Sequence, residues 1–155
     1  MKTAAEIMNT DAPSVSPDDD ARTAIDLLAK SELGAVAVVD ADGRVVGIVS
    51  ESDLILSDEQ SDLHLPHYLN IMGGVVFIGS MKGFEKRLDK AFATKVAELM
   101  SADPIVAQTY ENVDRVAKTI ADKHHNHLPV VDADGRLAGM VTRADALAAL
   151  VDDVE

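Results

Sequence analysis

The chain has 155 residues, enough for one domain or for two small modules that share a core. Its 27 acidic and 14 basic residues give a formal charge of −13, which repels nucleic-acid backbones unless a local basic patch overrides the net field. The absence of cysteine excludes disulfides, iron–sulfur clusters, thiol catalysis and cysteine-based zinc sites, and an aromatic content of 3% leaves the core to Val, Ile, Leu, Ala and Met.

In chain order, a short helix carrying Ala5, Ile7 and Met8 comes first, followed by an extended segment from Ala12 to Pro17. Ala21, Ala24, Ile25 and Leu28 keep the i, i+3, i+4, i+7 spacing of a helix with one buried stripe. Ala35 to Val39 and Val45 to Val49 predict two strands around Asp40-Ala41-Asp42-Gly43, a tight reversal in which Gly43 supplies a positive φ. Their near-continuous apolar character predicts burial on both faces, as in a sheet covered by helices. A final short helix is expected from Ser50.

The same order then returns. Val38-Val39-Asp40-Ala41-Asp42-Gly43-Arg44 is repeated as Val130-Val131-Asp132-Ala133-Asp134-Gly135-Arg136, 92 positions later. The second copy has a short helix with Val96, Leu99 and Met100, an extended segment from Pro104 to Thr109, and a helix striped by Val113, Val116, Ala117 and Ile120. Strands at Leu128 to Val131 and Leu137 to Val141 follow, then a helix from Thr142. A repeat of this kind means two equivalent substructures with related surfaces. The expected division is a first repeat at 1–56, an insert at 57–94 and a second repeat at 95–155.

The insert has no counterpart. Leu65 to Met81 is apolar but broken by Gly73-Gly74 and Gly79, and Phe84, Leu88, Ala91 and Phe92 define an amphipathic helix. It reads either as a cover for the edge between the halves or as an oligomer contact or gate. The apolar run is too short and too interrupted, by His67, Tyr68 and Asn70, to span a bilayer. With no basic-then-apolar leader, the expected location is the cytoplasm, away from membranes. Lys82 to Lys95, the densest basic stretch, also carries Glu85 and Asp89, a mixed solvated face, so no DNA or RNA partner is expected.

The segments with most chemistry are Gly47-Ile48-Val49-Ser50-Glu51-Ser52-Asp53 and Gly139-Met140-Val141-Thr142-Arg143-Ala144-Asp145. One account is a capping box, in which a hydroxyl and a carboxylate three residues on satisfy free amides at a helix start. The other is a nucleotide seat: free N–H groups and the hydroxyl receive a phosphate while the aspartate accepts hydrogen bonds from a sugar diol. The two copies are unequal. Arg143 would neutralise a phosphate, whereas Glu51 in the matching place repels one unless a metal ion bridges them.

The run His124-His125-Asn126-His127 reads as a polar connection, a contact to a ligand's phosphate or ribose, or a metal site lacking a third ligand. No metal site is assigned to it. No Ser/His/Asp arrangement, zinc signature or phosphate loop appears, and Asp40 and Asp42 are explained by turn chemistry, so no catalytic residue is assigned and the chain is not expected to be an enzyme.

Glu6-Ile7-Met8, Glu98-Leu99-Met100, Leu128-Pro129-Val130-Val131-Asp132 and the two Gly-x-x-(Ser/Thr)-x-x-Asp segments resemble a tandem pair of cystathionine-β-synthase-type (CBS) domains, a Bateman module. The resemblance covers residues 1 to 56 and 95 to 152. It implies a mixed α/β (α+β) fold of two pseudo-symmetric β-α-β-β-α units packed through their sheets, and binding of AMP, ADP or ATP, with S-adenosylmethionine as the alternative ligand. Carried over by position, Asp53 and Asp145 would take the ribose hydroxyls, and Ser50, Thr142 and Arg143 the phosphate, with Mg²⁺ accompanying ATP. The adenine would rest near Val15, Val36 and Ala37 in one copy, and near Val106, Leu128 and Pro129 in the other; His127, from the polar run, is the candidate contact to the ligand's phosphate or ribose. The expected assembly is a homodimer acting on an effector protein in trans. A structural or adaptor dimer without ligand, and a nucleic-acid-binding member, are the competing readings.

Overall fold

The computed structural model describes residues 2–51, 94–123 and 125–154. The insert's apolar run and amphipathic helix, with Phe77, Phe84, Phe92, His64 and His67, lie outside the described residues, as do Asp53 and His124.

The first repeat contributes α1 (Ala4–Ile7), β1 (Ser14–Val15), α2 (Ala21–Lys30), β2 (Ala35–Val39) and β3 (Val45–Ser50). The second contributes α3 (Val96–Leu99), β4 (Ser101–Ala102), β5 (Ala107–Gln108), α4 (Val113–Lys123), β6 (His127–Val131), β7 (Leu137–Thr142) and α5 (Arg143–Val154). The chain is thus a mixed α+β protein, with two small sheets among the described residues, ordered β1-β2-β3-β4 and β5-β6-β7. The predicted stripes are the buried ones: Ala21, Ala24 and Leu28 on α2, and Val113, Val116 and Ile120 on α4. Each large side chain so buried contributes about 1.5–3 kcal/mol.

β2 and β6 are buried almost throughout, as their apolar runs predict, because helices or strands cover both faces. β3 differs: only Gly47 and Val49 are buried, the alternation of a strand with one open face. β1 runs parallel to β2 with Val15 opposite Val38, and β5 runs parallel to β6 with Ala107 opposite Val130. Both pairs keep the 92-residue register.

The described residues fall into two compact units that cut across the repeats. One gathers those of Met1–Ala12, Val39–Val46 and Asp103–Glu155; the other those of Pro13–Val38 and Gly47–Ala102. Each unit therefore takes its short helix from the other repeat.

In the first unit, Ala4 N–H donates to the Glu111 carbonyl at 2.8 Å, Ala5 N–H to Thr109 at 3.0 Å, and Val113 N–H back to Lys2 at 2.9 Å. In the second, Val96 donates to Asp19 at 2.8 Å, Ala97 to Pro17 at 3.0 Å, and Ala21 to Thr94 at 2.8 Å. These are the same three bonds shifted by the repeat. Ala4 enters the core formed by Ala107, Val116, Ile120, Leu128, Val130, Val141 and Ala146, with Ile7 and Met8 packed against it.

The docked helices explain two glycines. A Cβ on Gly139 would lie 2.7 Å from Met8 Sδ and 2.8 Å from the Asn9 carbonyl oxygen. In the second unit a Cβ on Gly47 would collide with Met100 Sδ and come within 3.1 Å of the Ser101 carbonyl oxygen. Close backbone approach at these glycines therefore receives the chain's own methionine and the residue after it.

Beside this junction in the second unit, Lys95 Nζ donates to Asp20 Oδ1 at 3.0 Å on the surface. That hydrogen bond, and then the charge of Asp20, hold the Lys95 ammonium above its ordinary pKa.

The duplicated string closes on itself. In each turn an aspartate, Asp40 or Asp132, accepts the N–H groups two and four residues on, and Gly43 and Gly135 adopt φ of 85° and 82°. The two turns then pair reciprocally: Val45 N–H donates to the Gly135 carbonyl at 3.1 Å and Leu137 N–H to the Gly43 carbonyl at 3.0 Å. Arg44 Nε reaches the Asp134 carbonyl and Arg136 Nε the Asp42 carbonyl, both at 3.0 Å. What the sequence writes twice is a self-complementary contact.

Candidate nucleotide site at the strand ends of the second repeat

Thr142 ends β7 and Arg143 opens α5, so Thr142 is the N-cap and Asp145 stands three residues in. Asp145 N–H donates to Thr142 Oγ1 at 3.2 Å, and Thr142 N–H donates to Asp145 Oδ2 at 3.0 Å. The capping box is therefore formed in full. It does not consume the whole carboxylate. Asn9 Nδ2 is the second donor to Oδ2, at 2.7 Å, which leaves Oδ1 as the oxygen outside this clamp.

β6 brings the neighbouring groups. His127 lies opposite Thr142 in the β6–β7 register, and Arg143 N–H donates to the Asn126 carbonyl at 2.9 Å. His127, Thr142 and Asp145 are half-buried, and Arg143 is exposed. The structure thus gathers His127, Thr142, Arg143 and Asp145 at one end of β6 and β7.

Leu128 and Pro129 belong to the same strand but are fully buried, so any approach to them is through backbone. Val106 is half-buried and precedes β5, one step before the Ala107–Val130 pairing and thus beside Pro129. Here the copies differ physically. In the first repeat Ala37 N–H donates to the Pro13 carbonyl at 3.1 Å. Pro129 stands in that place in the second and has no N–H to give, so the Ile105 carbonyl lacks this strand bond.

In the first repeat, Val15, Val36 and Ala37 are buried in the core, and Ser50 is half-buried at the end of β3. Glu51 N–H donates to the Gly34 carbonyl at 3.2 Å, matching the Arg143–Asn126 bond. Asp53 lies outside the described residues.

Among the described residues no group of His, Asp and Glu side chains is placed to hold a metal ion, and no helix is long and apolar enough to cross a membrane. The sequence reading missed Asn9. It stands outside the motifs, and its counterpart in the other copy is Ser101, so repetition did not mark it. That unlikeness directly after the matching Met8 and Met100 was the available signal.

Known proteins agree with this architecture. The family model for the CBS domain matches twice, at residues 4–58 and 96–152. An uncharacterized protein of Methanocaldococcus jannaschii is 33% identical over 142 residues, covering 88% of this chain and 84% of its own length. The chloroplastic CBS domain-containing protein CBSX2 of Arabidopsis thaliana is 31% identical over 140 residues, covering 88% of this chain; the chain spans 56% of that protein's length. The crystal structure of CBSX2 in complex with AMP superposes with a TM-score of 0.72 at 24% identity, covering 100% of both chains. The cytosolic domain of the Mg²⁺ channel MgtE in complex with ATP superposes at 0.67 and 24% identity, covering 96% of this chain and 48% of that one. With the duplicated strands, the capped helix after the second sheet and a family model that matches twice, the chain belongs to the CBS domain family and carries the domain as a tandem pair.

Proposed function

We propose that this CBS pair is a non-catalytic regulatory module that binds AMP, ADP or ATP and signals in trans to an effector protein. The observation that carries the proposal is the Thr142–Asp145 box, in which a half-buried aspartate keeps one oxygen outside the clamp at a helix start. That oxygen accepts from the ribose diol, while Thr142 and the exposed Arg143 meet the phosphate near the positive end of α5. Adenine, an edge of donors and acceptors, is met by backbone near Val106, Leu128 and Pro129, where the Ile105 carbonyl lacks its strand partner. His127 flanks the ribose or phosphate. The AMP held by CBSX2 and the ATP held by MgtE support this ligand class.

The first repeat, with Val15, Val36, Ala37, Ser50 and Asp53, is the weaker seat. Glu51 repels a phosphate there unless Mg²⁺ bridges the two. Calorimetric titration with AMP, ATP and S-adenosylmethionine tests the reading. Saturable AMP or ATP binding near one equivalent per chain is expected, and a protein that binds neither rejects it.

Homodimerisation belongs to the same proposal. Ala144, Leu147, Ala148 and Val151 form an exposed apolar stripe on α5, with Leu147 56% and Val151 59% exposed. A second copy covering this stripe removes it from water. Leu147→Glu with Val151→Glu is expected to give a monomer by light scattering, and an unchanged dimer mass dismisses this interface.

A further inference from the structure

Asn9 is tied into the candidate site at more points than a connecting residue requires. Its backbone N–H donates to the Met140 carbonyl at 2.8 Å, and its own carbonyl accepts from Met140 N–H at 3.1 Å. Its side-chain Nδ2 donates to the same Met140 carbonyl at 3.1 Å and to Asp145 Oδ2 at 2.7 Å. A primary amide has two N–H groups, and these two acceptors use both. The carboxamide is thereby fixed between strand β7 and the carboxylate.

The effect on Asp145 follows from counting. Oδ2 receives Thr142 N–H and Asn9 Nδ2, which occupies both of its lone-pair directions. The Thr142 bond alone leaves the carboxylate free to turn about its Cβ–Cγ bond, a broad two-fold torsion. The second donor, from a different element, holds that torsion and orients Oδ1. A carboxylate fixed before its ligand arrives loses less freedom on binding.

Resting on the reading that Asp145 accepts the ribose diol, we propose that Asn9 is a positioning residue for nucleotide binding. It holds Oδ2 so that Oδ1 faces the diol, and it couples the segment after α1 to occupancy of the second repeat's site.

The test is the affinity of AMP and of 2′,3′-dideoxy-AMP, measured by calorimetry on the whole chain, for the wild type, Asn9→Ala and Asp145→Ala. A positioning role predicts that Asn9→Ala weakens AMP by about tenfold, as befits loss of a charge-assisted hydrogen bond, while dideoxy-AMP changes by less than about twofold. A packing role moves both ligands alike, and that outcome overturns the proposal, as does an Asn9→Ala protein that binds AMP like the wild type. Asn9→Ser, the residue found at the equivalent place in the second repeat (Ser101), keeps a small polar side chain and carries the test should the alanine variant fail to fold. If Asp145→Ala binds AMP undiminished, the diol reading itself fails. Loss with Asp145→Ala but none with Asn9→Ala leaves that reading standing and rejects only the role of Asn9.

Discussion

Gly139→Ala is expected to cost about 2–3 kcal/mol of stability, measured as a fall in the denaturant midpoint at unchanged slope. A single methyl normally costs less. Here it has nowhere to go, because a Cβ would lie 2.7 Å from Met8 Sδ, 2.8 Å from Met8 Cγ and 2.8 Å from the Asn9 carbonyl oxygen. The methionine can swing aside; the carbonyl cannot, because it accepts the Met140 N–H at 3.1 Å. Adding Met8→Ala to Gly139→Ala should therefore recover part of the loss and leave the remainder due to the backbone oxygen. Full additivity of the two changes would show that the methionine is not the obstacle.

Asp145→Ala is expected to lower AMP affinity at least tenfold, about 1.4 kcal/mol, and by more than Asp53→Ala does. Hydrogen bonds to a charged acceptor contribute about 1.5–3 kcal/mol each, so losing the diol contact is sufficient. The variant also loses its capping box, costing about 1 kcal/mol of stability, so titrations belong well below its melting temperature. The inequality between the two aspartates rests on their neighbours. Arg143 brings a positive charge to the second site where Glu51 brings a negative one to the first, and Pro129 withdraws a strand bond that Ala37 makes. Equal losses on calorimetric titration would sink that asymmetry.

Among the described residues, the strands of each repeat, the helices α2 and α4 and their register were legible because apolar spacing repeats at a fixed distance, and two copies of a pattern constrain each other. The Thr142–Asp145 box was legible for the same reason. The exchange of α1 and α3 was not. Ala4 and Val96 are both apolar residues that are fully buried, and nothing in either says which repeat supplies the surface that buries it. Strand β4 was also missed: Ser101 and Ala102 are exposed and carry no β signature, and they pair with Ile48 and Gly47 only because α3 delivers them there. Asn9 went unread because its chemistry lies in a contact 136 residues away.

The exchange also sets an order on synthesis. α1 leaves the ribosome before the surface that buries Ala4, which is built from residues between Ala107 and Ala146. Until those residues emerge the helix has no native seat, and it is too short to persist alone. The second unit can close as soon as Val96 to Ala102 emerge, since every described residue it needs has been made. A chain that looks like one module written twice is thus finished in order: the half whose strands come first can close first, and α1 is placed only once the second repeat has emerged.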